Sequence, residues 1–571
     1  MPLENRVLVL DATFPSALAI IRSLGRRGIV CDIAGNEKKP ISAYSKYSSK
    51  YYHYPSPLTD TELFVDRIAE ILEFQEYDLV IPVTEQTLIP ISESNKLHRW
   101  KSIFAIADQE SLARVLDKAK TFSLAKDCSI PFPFSYHVKE ISDIDRLAEN
   151  LRYPVVLKPG QSIPNSETRR QLSVSYVFNY EELLAGCKLL LPYCSVILQE
   201  YIQGIGTGIE LLADHGQIVY SFQHQRLHEI PLTGGGSCYR KSIRVNPELH
   251  EASQKLIRAL GWHGVAMVEF KFMPETGEYW LMEINGRFWG SLPLATAAGA
   301  DFPYMLYDLL VNHRKPVNQE YRENIYCRKL SSDIYWYEQV FRREENTQLV
   351  KYPDTKQLVK DLMFALHPSR HFFDVQSWRD PCPGIVDIYR IFIDYKQRLS
   401  KLLNLKWLAI WSRSRWHKKH LRDCLKQAQS ILFLCYGNIN RSALAHILAE
   451  KLYLDSQVRM ASAGFHLVAG RQIDPNMLHI AAQHGIDLSS HRSKTITPEL
   501  LQEADVIFVM VREQYFYMKQ EYPESLAKVF LLGSLNEQIN LDIDDPYEKP
   551  LAVYEKCFKD IKKAVESLEL S

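Results

Sequence analysis

The chain lacks the features that mark a nucleic-acid-binding, secreted or membrane-spanning protein. Its 68 Lys and Arg are matched by 68 Asp and Glu, whereas a general nucleic-acid binder usually carries a basic excess. Its ten cysteines are scattered and form no C-x-x-C pair, which argues against a zinc ribbon and suits a reducing compartment. No basic segment with a long apolar core begins the chain, and no run of about 18 apolar residues occurs. We therefore predict a cytoplasmic protein without a nucleic-acid partner.

The composition is that of an ordinary folded protein, with 46% hydrophobic and 24% charged residues among 571. This length predicts roughly three to four domains. Alternating apolar runs and helical spacings predict an α/β multidomain fold with a helical linker. The predicted division is a small α/β domain, a mixed α+β domain, a basic and aromatic-rich extension with the linker, and a parallel-sheet α/β domain, over residues 1–110, 111–310, 311–430 and 431–571.

The most basic part of the extension allows two interpretations. Between Lys396 and Lys426, ten Lys and Arg face a single acid, Asp423, and apolar residues such as Leu402 and Trp407 interleave with them. An amphipathic helix of this kind can lie on an anionic membrane surface, which would give a peripheral membrane contact through residues 396–426. The alternative is a solvated helical linker that packs its apolar stripe on a neighbouring domain, as most amphipathic helices do.

The sharpest motif is the segment Cys435–Ser442, with the sequence C-Y-G-N-I-N-R-S, between a predicted strand and a helical run. Five residues between Cys435 and Arg441 allow the loop to curl around one phosphate, which backbone N–H groups and the helix N-terminus would bind. Arg441 can grip two phosphate oxygens as a fork. Ser442 is placed to hydrogen-bond the sulfur. We expect Cys435 to attack phosphorus and form a phosphocysteine intermediate.

The leaving group of such a reaction needs a proton. The acidic segment Leu541–Tyr547 places Asp545 directly before Pro546, and proline restricts the backbone of the residue that precedes it. We predict that Asp545 is the general acid and later the base that activates water.

These elements resemble the low-molecular-weight protein tyrosine phosphatases over residues 431–568. The C-x-G-N-x-x-R-S loop and the Asp-Pro-Tyr element at Asp545–Tyr547 are both intact, and Ser462-Ala463-Gly464 is a further match. The resemblance implies that Asn438 braces the loop and that Tyr547 lines the cleft for an aromatic phosphoester. The implied substrate is a phosphotyrosine protein or a small phosphomonoester. A domain that binds phosphate without catalysis is the alternative.

A second constellation lies in residues 111–310. A hairpin predicted over residues 265–273 and 278–284 would bring Glu269 and Glu283 together from adjacent strands, with Asn285 beside them. Two carboxylates and an amide oxygen suit Mg²⁺. Arg287 is apt for a phosphate or an acyl phosphate. The remaining candidates are two lysines that could clamp phosphates and two acids that could bind ribose or amino hydrogens: Lys118, Lys158, Glu200 and Glu210.

This ordered set resembles the ATP-grasp superfamily over about residues 1–310, closest to its carbamoyl-phosphate-synthase-like and carboxylate–amine ligase members, with 1–110 as the preceding α/β domain. The resemblance implies that Glu269, Glu283 and Asn285 hold Mg²⁺, with Mn²⁺ as an alternative, and that Arg287 supports the transferring phosphoryl group. It implies ATP contacts by Lys118, Lys158, Glu200, Tyr201 and Ile202. The segment in the place of a glycine-rich lid, residues 159–166, has one glycine.

The acceptor substrate is assigned to a different region. The glycine cluster Thr233–Ser237, which includes Gly235, follows the polar segment that contains Arg226. We expect Arg226 to grip a carboxylate and the cluster to lie near the acceptor, although a simple flexible turn explains the glycines equally well.

Together these features predict a bifunctional enzyme. The N-terminal part would join a small carboxylate to an amine through an acyl phosphate formed from ATP, and the C-terminal part would hydrolyse a phosphomonoester. The alternative is a phosphatase whose ATP-grasp half only senses nucleotide. The sequence indicates neither the ligase substrates nor the oligomeric state.

Overall fold

The computed structural model describes residues 5–147, 151–160, 172, 174–317, 320–343, 349–350, 352–365 and 367–570. Two compact units are present, Met1–Ile391 and Phe392–Ser571. The finer division into four parts at residues 110, 310 and 430 stays a prediction.

The first region of the N-terminal unit is a parallel sheet covered on both faces. Its four strands lie in the order β3-β2-β1-β4, and every pair is parallel. Val7 and Val9 pack with α1, whereas Leu8 and Leu10 pack on the opposite face with α2, as the alternation of a strand requires. The elements are β1 (Arg6–Val9), α1 (Pro15–Gly25), β2 (Val30–Gly35), β3 (Ser48–His53), α2 (Thr61–Phe74), β4 (Leu79–Ile81) and α3 (Glu85–Glu93).

A small antiparallel sheet follows, in the order β5-β8-β6-β7. It carries Lys158 in its second strand along the chain, where an apolar run predicted a strand. Of the segment in the place of the lid, residues 159–166, the part from 161 to 166 lies outside the described residues. The elements are α4 (Gln109–Leu116), α5 (Lys118–Asp127), β5 (Ser135–Val138), α6 (Ile141–Leu147), β6 (Val155–Pro159), β7 (Ser175–Val177), α7 (Tyr180–Leu190) and β8 (Val196–Glu200).

A larger sheet completes the unit, in the order β13-β12-β9-β10-β11-β14-β15. The predicted hairpin is confirmed, because β12 and β13 pair antiparallel with Glu269 opposite Glu283. The extension is more than a linker, since β14 and β15 lengthen this sheet. The elements are β9 (Ile205–Asp214), β10 (Gln217–Ile230), β11 (Gly236–Ile243), α8 (Pro247–Leu260), β12 (Gly264–Phe272), β13 (Tyr279–Asn285), α9 (Leu292–Ala298), α10 (Phe302–Leu310), β14 (Tyr326–Arg328), α11 (Leu330–Arg342), α12 (Thr355–Phe364) and β15 (His371–Phe373).

The C-terminal unit is built on a four-stranded parallel sheet in the order β17-β16-β18-β19. This sheet is the one predicted for residues 431–571, and β16 is the strand predicted before Cys435. A long helix, α13 (Pro381–Ser412), leads into the unit. The further elements are α14 (Arg415–Gln427), β16 (Ser430–Cys435), α15 (Arg441–Leu452), β17 (Arg459–Gly464), α16 (Pro475–Gln483), α17 (Pro498–Glu503), β18 (Val506–Val509), α18 (Arg512–Glu521), β19 (Val529–Leu531) and α19 (Leu551–Glu566). The predicted α/β multidomain fold is confirmed.

The basic segment 396–426 forms two helices rather than one. It is interrupted after Ser412, and the Ser414 side chain accepts a hydrogen bond from the His417 N–H to begin α14. Within the described part of the chain, no helix combines the length and the apolar character that crossing a membrane requires.

Candidate active sites

The thiol of Cys435 lies at the carboxyl end of the central strand β16, where the loop before α15 curls around it. Its Sγ is 3.0 Å from the Ser442 Oγ and accepts a hydrogen bond of 3.2 Å from the Asn438 N–H. Cys435 is buried, at 2% exposure. Donors around a sulfur stabilise it as a thiolate and as a leaving group, so this geometry suits a nucleophile.

Asn438 holds the loop in shape. Its backbone has a φ of +51°, a left-handed conformation that Asn tolerates better than most residues. Its Nδ2 donates to the Ser442 Oγ at 2.9 Å, and its Oδ1 accepts from the Lys494 N–H at 2.8 Å. The side chain therefore ties the nucleophile loop to the segment around Lys494.

Arg441 and Asp545 meet at the mouth of the loop. The guanidinium forms an ion pair with the Asp545 carboxylate, and its Nη1 donates to the Ile543 carbonyl at 3.1 Å. The buried Arg441 Nε has no hydrogen-bond partner among the described residues, and a donor of this kind fits an anion's oxygen. Tyr547 is half exposed beside Asp545, where an aromatic substrate could stack on it.

Two further residues shape this loop and were not assigned a role from the sequence. Arg471 donates from its Nη2 to the Gly437 carbonyl at 2.6 Å. Gly464 allows close approach of the loop, because a Cβ there would lie 2.7 Å from the Tyr436 carbonyl oxygen. Gly464 stood within a recognised motif, whereas Arg471 lay in none.

In the N-terminal unit, Glu269 and Glu283 face each other on β12 and β13, as predicted from the hairpin. Asn285 Nδ2 donates to the Glu269 Oε1 at 3.1 Å and to the Glu283 Oε1 at 3.3 Å. Burial raises the pKa of Glu269, with the opposing charge of Arg226 acting against this shift. Carboxylate and amide oxygens are the ligands that Mg²⁺ prefers, so Glu269 and Glu283 fit the ion as they stand. Asn285 would add its Oδ1, which accepts from Arg287 in the structure, by rotation of its amide group.

Two lysines face this carboxylate pair. Lys118 begins α5 and lines a small cavity together with Glu283 and Asn285. Burial lowers the pKa of Lys158 to about 8, although Glu283 opposes the shift. Burial also acts to raise the pKa of Glu283, but Lys118 and Lys158 hold it below its ordinary value. The cavity therefore contains cations that can neutralise phosphate charge.

Arg287 is tied to a residue that the sequence did not single out. Its Nε and Nη2 both donate to the Glu85 Oε1, at 3.3 and 3.0 Å, and its Nη2 also donates to the Asn285 Oδ1 at 3.0 Å. Glu85 opens α3 and lies 202 residues before Arg287, so only the fold reveals this pairing.

Arg226 lies against the carboxylate pair. It forms an ion pair with Glu269, and its Nη1 donates to Glu229 Oε1 at 3.2 Å and to the Gly235 carbonyl at 3.1 Å. Gly235 is packed closely, since a Cβ there would lie 2.2 Å from the Ile230 carbonyl oxygen. The structure thus brings Arg226 and Gly235 together.

Of the residues expected to contact ATP, Glu200, Tyr201 and Ile202 lie together at the end of β8, whereas Glu210 lies apart from them. Glu200 is exposed and accepts from the Phe134 N–H at 2.7 Å; Tyr201 and Ile202 follow it, half-buried. Glu210 lies elsewhere, fully buried in β9, where it accepts from Ser291 Oγ at 2.5 Å and approaches His224 Nδ1 at 2.9 Å. The structure therefore does not present Glu210 as a ribose ligand.

A parallel sheet that ends in a Cys-to-Arg phosphate loop, faced by an aspartate, defines the C-terminal unit as a cysteine-dependent phosphatase. Residues 430–570 match the family described as low molecular weight phosphotyrosine protein phosphatase, and the chain belongs to this family through that region. The match to "Probable low molecular weight protein-tyrosine-phosphatase EpsP" of Ralstonia solanacearum is 35% identical over 139 residues, covering 24% of this chain and 92% of the relative. Etp of Escherichia coli K12 is 32% identical over 135 residues, covering 24% and 88%.

The N-terminal unit contains an ATP-grasp region. Residues 194–332 match the family described as "ATP-grasp in the biosynthetic pathway with Ter operon". A crystal structure of an L-amino acid ligase from Bacillus licheniformis aligns at 15% identity with a TM-score of 0.46, covering 57% of this chain and 80% of that one. The predicted enzyme, an ATP-grasp region joined to a C-terminal phosphatase, is confirmed at the level of family.

Proposed function

We propose that the C-terminal unit hydrolyses a phosphomonoester, such as phosphotyrosine, through a phosphocysteine. The observation that carries this proposal is the placement of the Cys435 sulfur within 3.0 Å of the Ser442 Oγ and 3.2 Å of the Asn438 N–H. A proton from the Cys435 thiol or the substrate monoanion reaches Asp545 once Arg441 has moved to the phosphate. The sulfur then forms the S–P bond as the ester P–O bond breaks, and Asp545 gives that proton to the leaving oxygen. Asp545 then takes a proton from the water that releases phosphate, so the enzyme returns unchanged.

Arg441 has two roles in this mechanism: it holds Asp545 before the substrate binds, and it then binds the phosphate. In the structure its guanidinium pairs with Asp545, and a bound phosphate would compete for the same donors. The Nε, which has no hydrogen-bond partner in the described part of the chain, would be a further contact. Transfer of the guanidinium to the phosphate frees the Asp545 carboxyl to face the leaving oxygen. The test is hydrolysis of para-nitrophenyl phosphate and of a phosphotyrosine peptide by the full chain; absence of both activities would refute the proposal.

We further propose that the N-terminal unit uses ATP and Mg²⁺ to activate a small carboxylate for attack by an amine. This proposal is supported by the opposed pair Glu269 and Glu283 with two lysines beside it. Glu269, Glu283 and Asn285 would hold the ion, which neutralises phosphate charge when bound. Lys118 and Lys158 would bind the phosphates, and Arg287, held by Glu85, would lie near the transferring group.

The experiment for this half is a screen of amino acids and small carboxylates, each with and without an amine, for stimulated release of ADP. Release that depends on both co-substrates supports a ligase. Binding of Mg-ATP without stimulated release by any pair would favour the alternative, a nucleotide-sensing region that regulates the phosphatase.

A further inference from the structure

The second half of α13 exposes an apolar stripe to solvent. Phe392, Leu399, Leu403 and Ile410 are 63%, 57%, 57% and 74% exposed. Their spacings of seven, four and seven residues place them on one side of a helix. Folded proteins rarely leave a contiguous apolar surface uncovered without a binding role. We call these four residues the α13 stripe.

The α13 stripe is not the face that packs on the C-terminal unit. Leu408 makes that contact: it is buried in a cluster with Val509 and Tyr515. At about 100° per residue, Leu408 lies roughly 160° around the helix from Ile410 and Phe392. The linker interpretation, in which one apolar side packs on a neighbour, therefore accounts for Leu408 but leaves the stripe unexplained.

Charge identifies the chemistry of the missing partner. Lys396 and Lys406 are exposed and flank the stripe, about 40° to either side of Phe392 and Ile410, within a segment of ten basic residues and one acid. A second copy of this helix would bring like charges together, and Lys406, seven residues after Leu399, would enter the core of a coiled coil. An anionic partner is attracted instead.

The exposed tryptophans indicate that the anionic partner is a lipid surface. Trp407 and Trp416, on α13 and α14, are 62% and 72% exposed. Tryptophan favours the boundary between water and lipid because its ring is apolar and its N–H is polar. Lysine stems can extend past an apolar stripe and leave their charges among lipid headgroups.

We propose that the α13 stripe binds the surface of a membrane that contains anionic lipids, with the helix axis lying in the plane of the surface. The stripe enters the boundary between headgroups and acyl chains, while Lys396 and Lys406 contact the headgroups. This contact does not depend on the activities proposed above.

The experiment is sedimentation of the full chain with vesicles of phosphatidylcholine, alone or mixed with phosphatidylserine. We expect binding to the mixed vesicles at low salt, and a fall of at least about tenfold in partitioning at about 0.5 M salt because headgroup attraction is screened. The double variant Leu403→Glu/Ile410→Glu should lose binding at low salt. Its hydrolysis of para-nitrophenyl phosphate should equal that of the wild type, which shows that it folds.

The matched control is Leu189→Glu/Leu454→Glu, which places the same charges on two exposed leucines outside α13; it should bind as the wild type does. Failure of the wild type to bind mixed vesicles at low salt would overturn the proposal. So would binding that survives Leu403→Glu/Ile410→Glu. Sedimentation velocity without lipid identifies the other occupant: a dimer that this variant abolishes, without vesicle binding, would assign the stripe to a second copy.

Discussion

The Cys435 loop and the cavity beside Glu269 and Glu283 both contain cationic groups suited to phosphate, but they are assembled differently. The loop takes its nucleophile, its brace and its guanidinium from the eight consecutive residues Cys435–Ser442, and distant segments add only Asp545 and supporting contacts. The cavity proposed for the nucleotide takes its cations from α5 and β6 and its carboxylates from β12 and β13. In a contiguous loop each residue carries a separate role, whereas in a cavity built from several elements binding is shared among many residues. Substitutions in the two sites should therefore differ in severity.

The largest expected effect is that of Cys435→Ser. The hydroxyl is a far weaker nucleophile at neutral pH than a cysteine sulfur, so hydrolysis of para-nitrophenyl phosphate should fall at least about 10³-fold. Binding of Mg-ATP, measured by calorimetry on the same variant, should not change. Cys382→Ser, at an exposed cysteine, is the control and should keep full activity. Substantial turnover by Cys435→Ser would exclude the sulfur as nucleophile.

The next effect is that of Asp545→Asn, which keeps the shape of the side chain but cannot supply a proton. The rate should fall about 10²–10⁴-fold with para-nitrophenyl phosphate. The loss of activity should be greater with alkyl phosphate esters, because an alkoxide is a poorer leaving group than para-nitrophenolate and depends more on protonation. The exposed neighbour Asp544 provides the control, Asp544→Asn. If Asp545→Asn and Asp544→Asn lower the rate by the same factor, the assignment of Asp545 as the general acid is wrong.

The contrast in assembly also explains what could be predicted from the sequence. The roles proposed for Cys435, Arg441 and Ser442 depend on positions within one loop, which a strand before it and a helix after it fix in space. Glu269 and Glu283 could be paired because a hairpin sets their register.

Contacts between distant segments could not be predicted in this way. The Glu85 partner of Arg287 and the engagement of Glu269 by Arg226 depend on how separate elements pack. Glu210 shows the same limit, since its place in a strand did not reveal that Ser291 and His224 would enclose it.

A smaller effect is expected in the assembled cavity. Glu283→Gln removes one negative charge from the carboxylate pair, so Mg²⁺-dependent binding of ATP should weaken about tenfold or more. Phosphatase activity should be unchanged. Glu278→Gln, an exposed change at the turn of the same hairpin, controls for the loss of charge alone. Equal Mg-ATP affinity in Glu283→Gln and in the wild type would remove Glu283 from the proposed metal site.

The mildest perturbation is a change of pH, which changes the charge of Lys158 without altering the sequence. Burial lowers the pKa of Lys158 to about 8, so raising the pH from 7.5 to 9.5 removes its charge in the ATP-free protein. ATP binds better to the protonated form, and its affinity should therefore fall, by at most about tenfold per pH unit above 8. Lys158→Met should bind ATP weakly and lack this dependence, whereas Lys188→Met, on the exposed surface of α7, should retain it. A wild-type affinity that stays constant over this range would show that the charge of Lys158 does not contribute to binding.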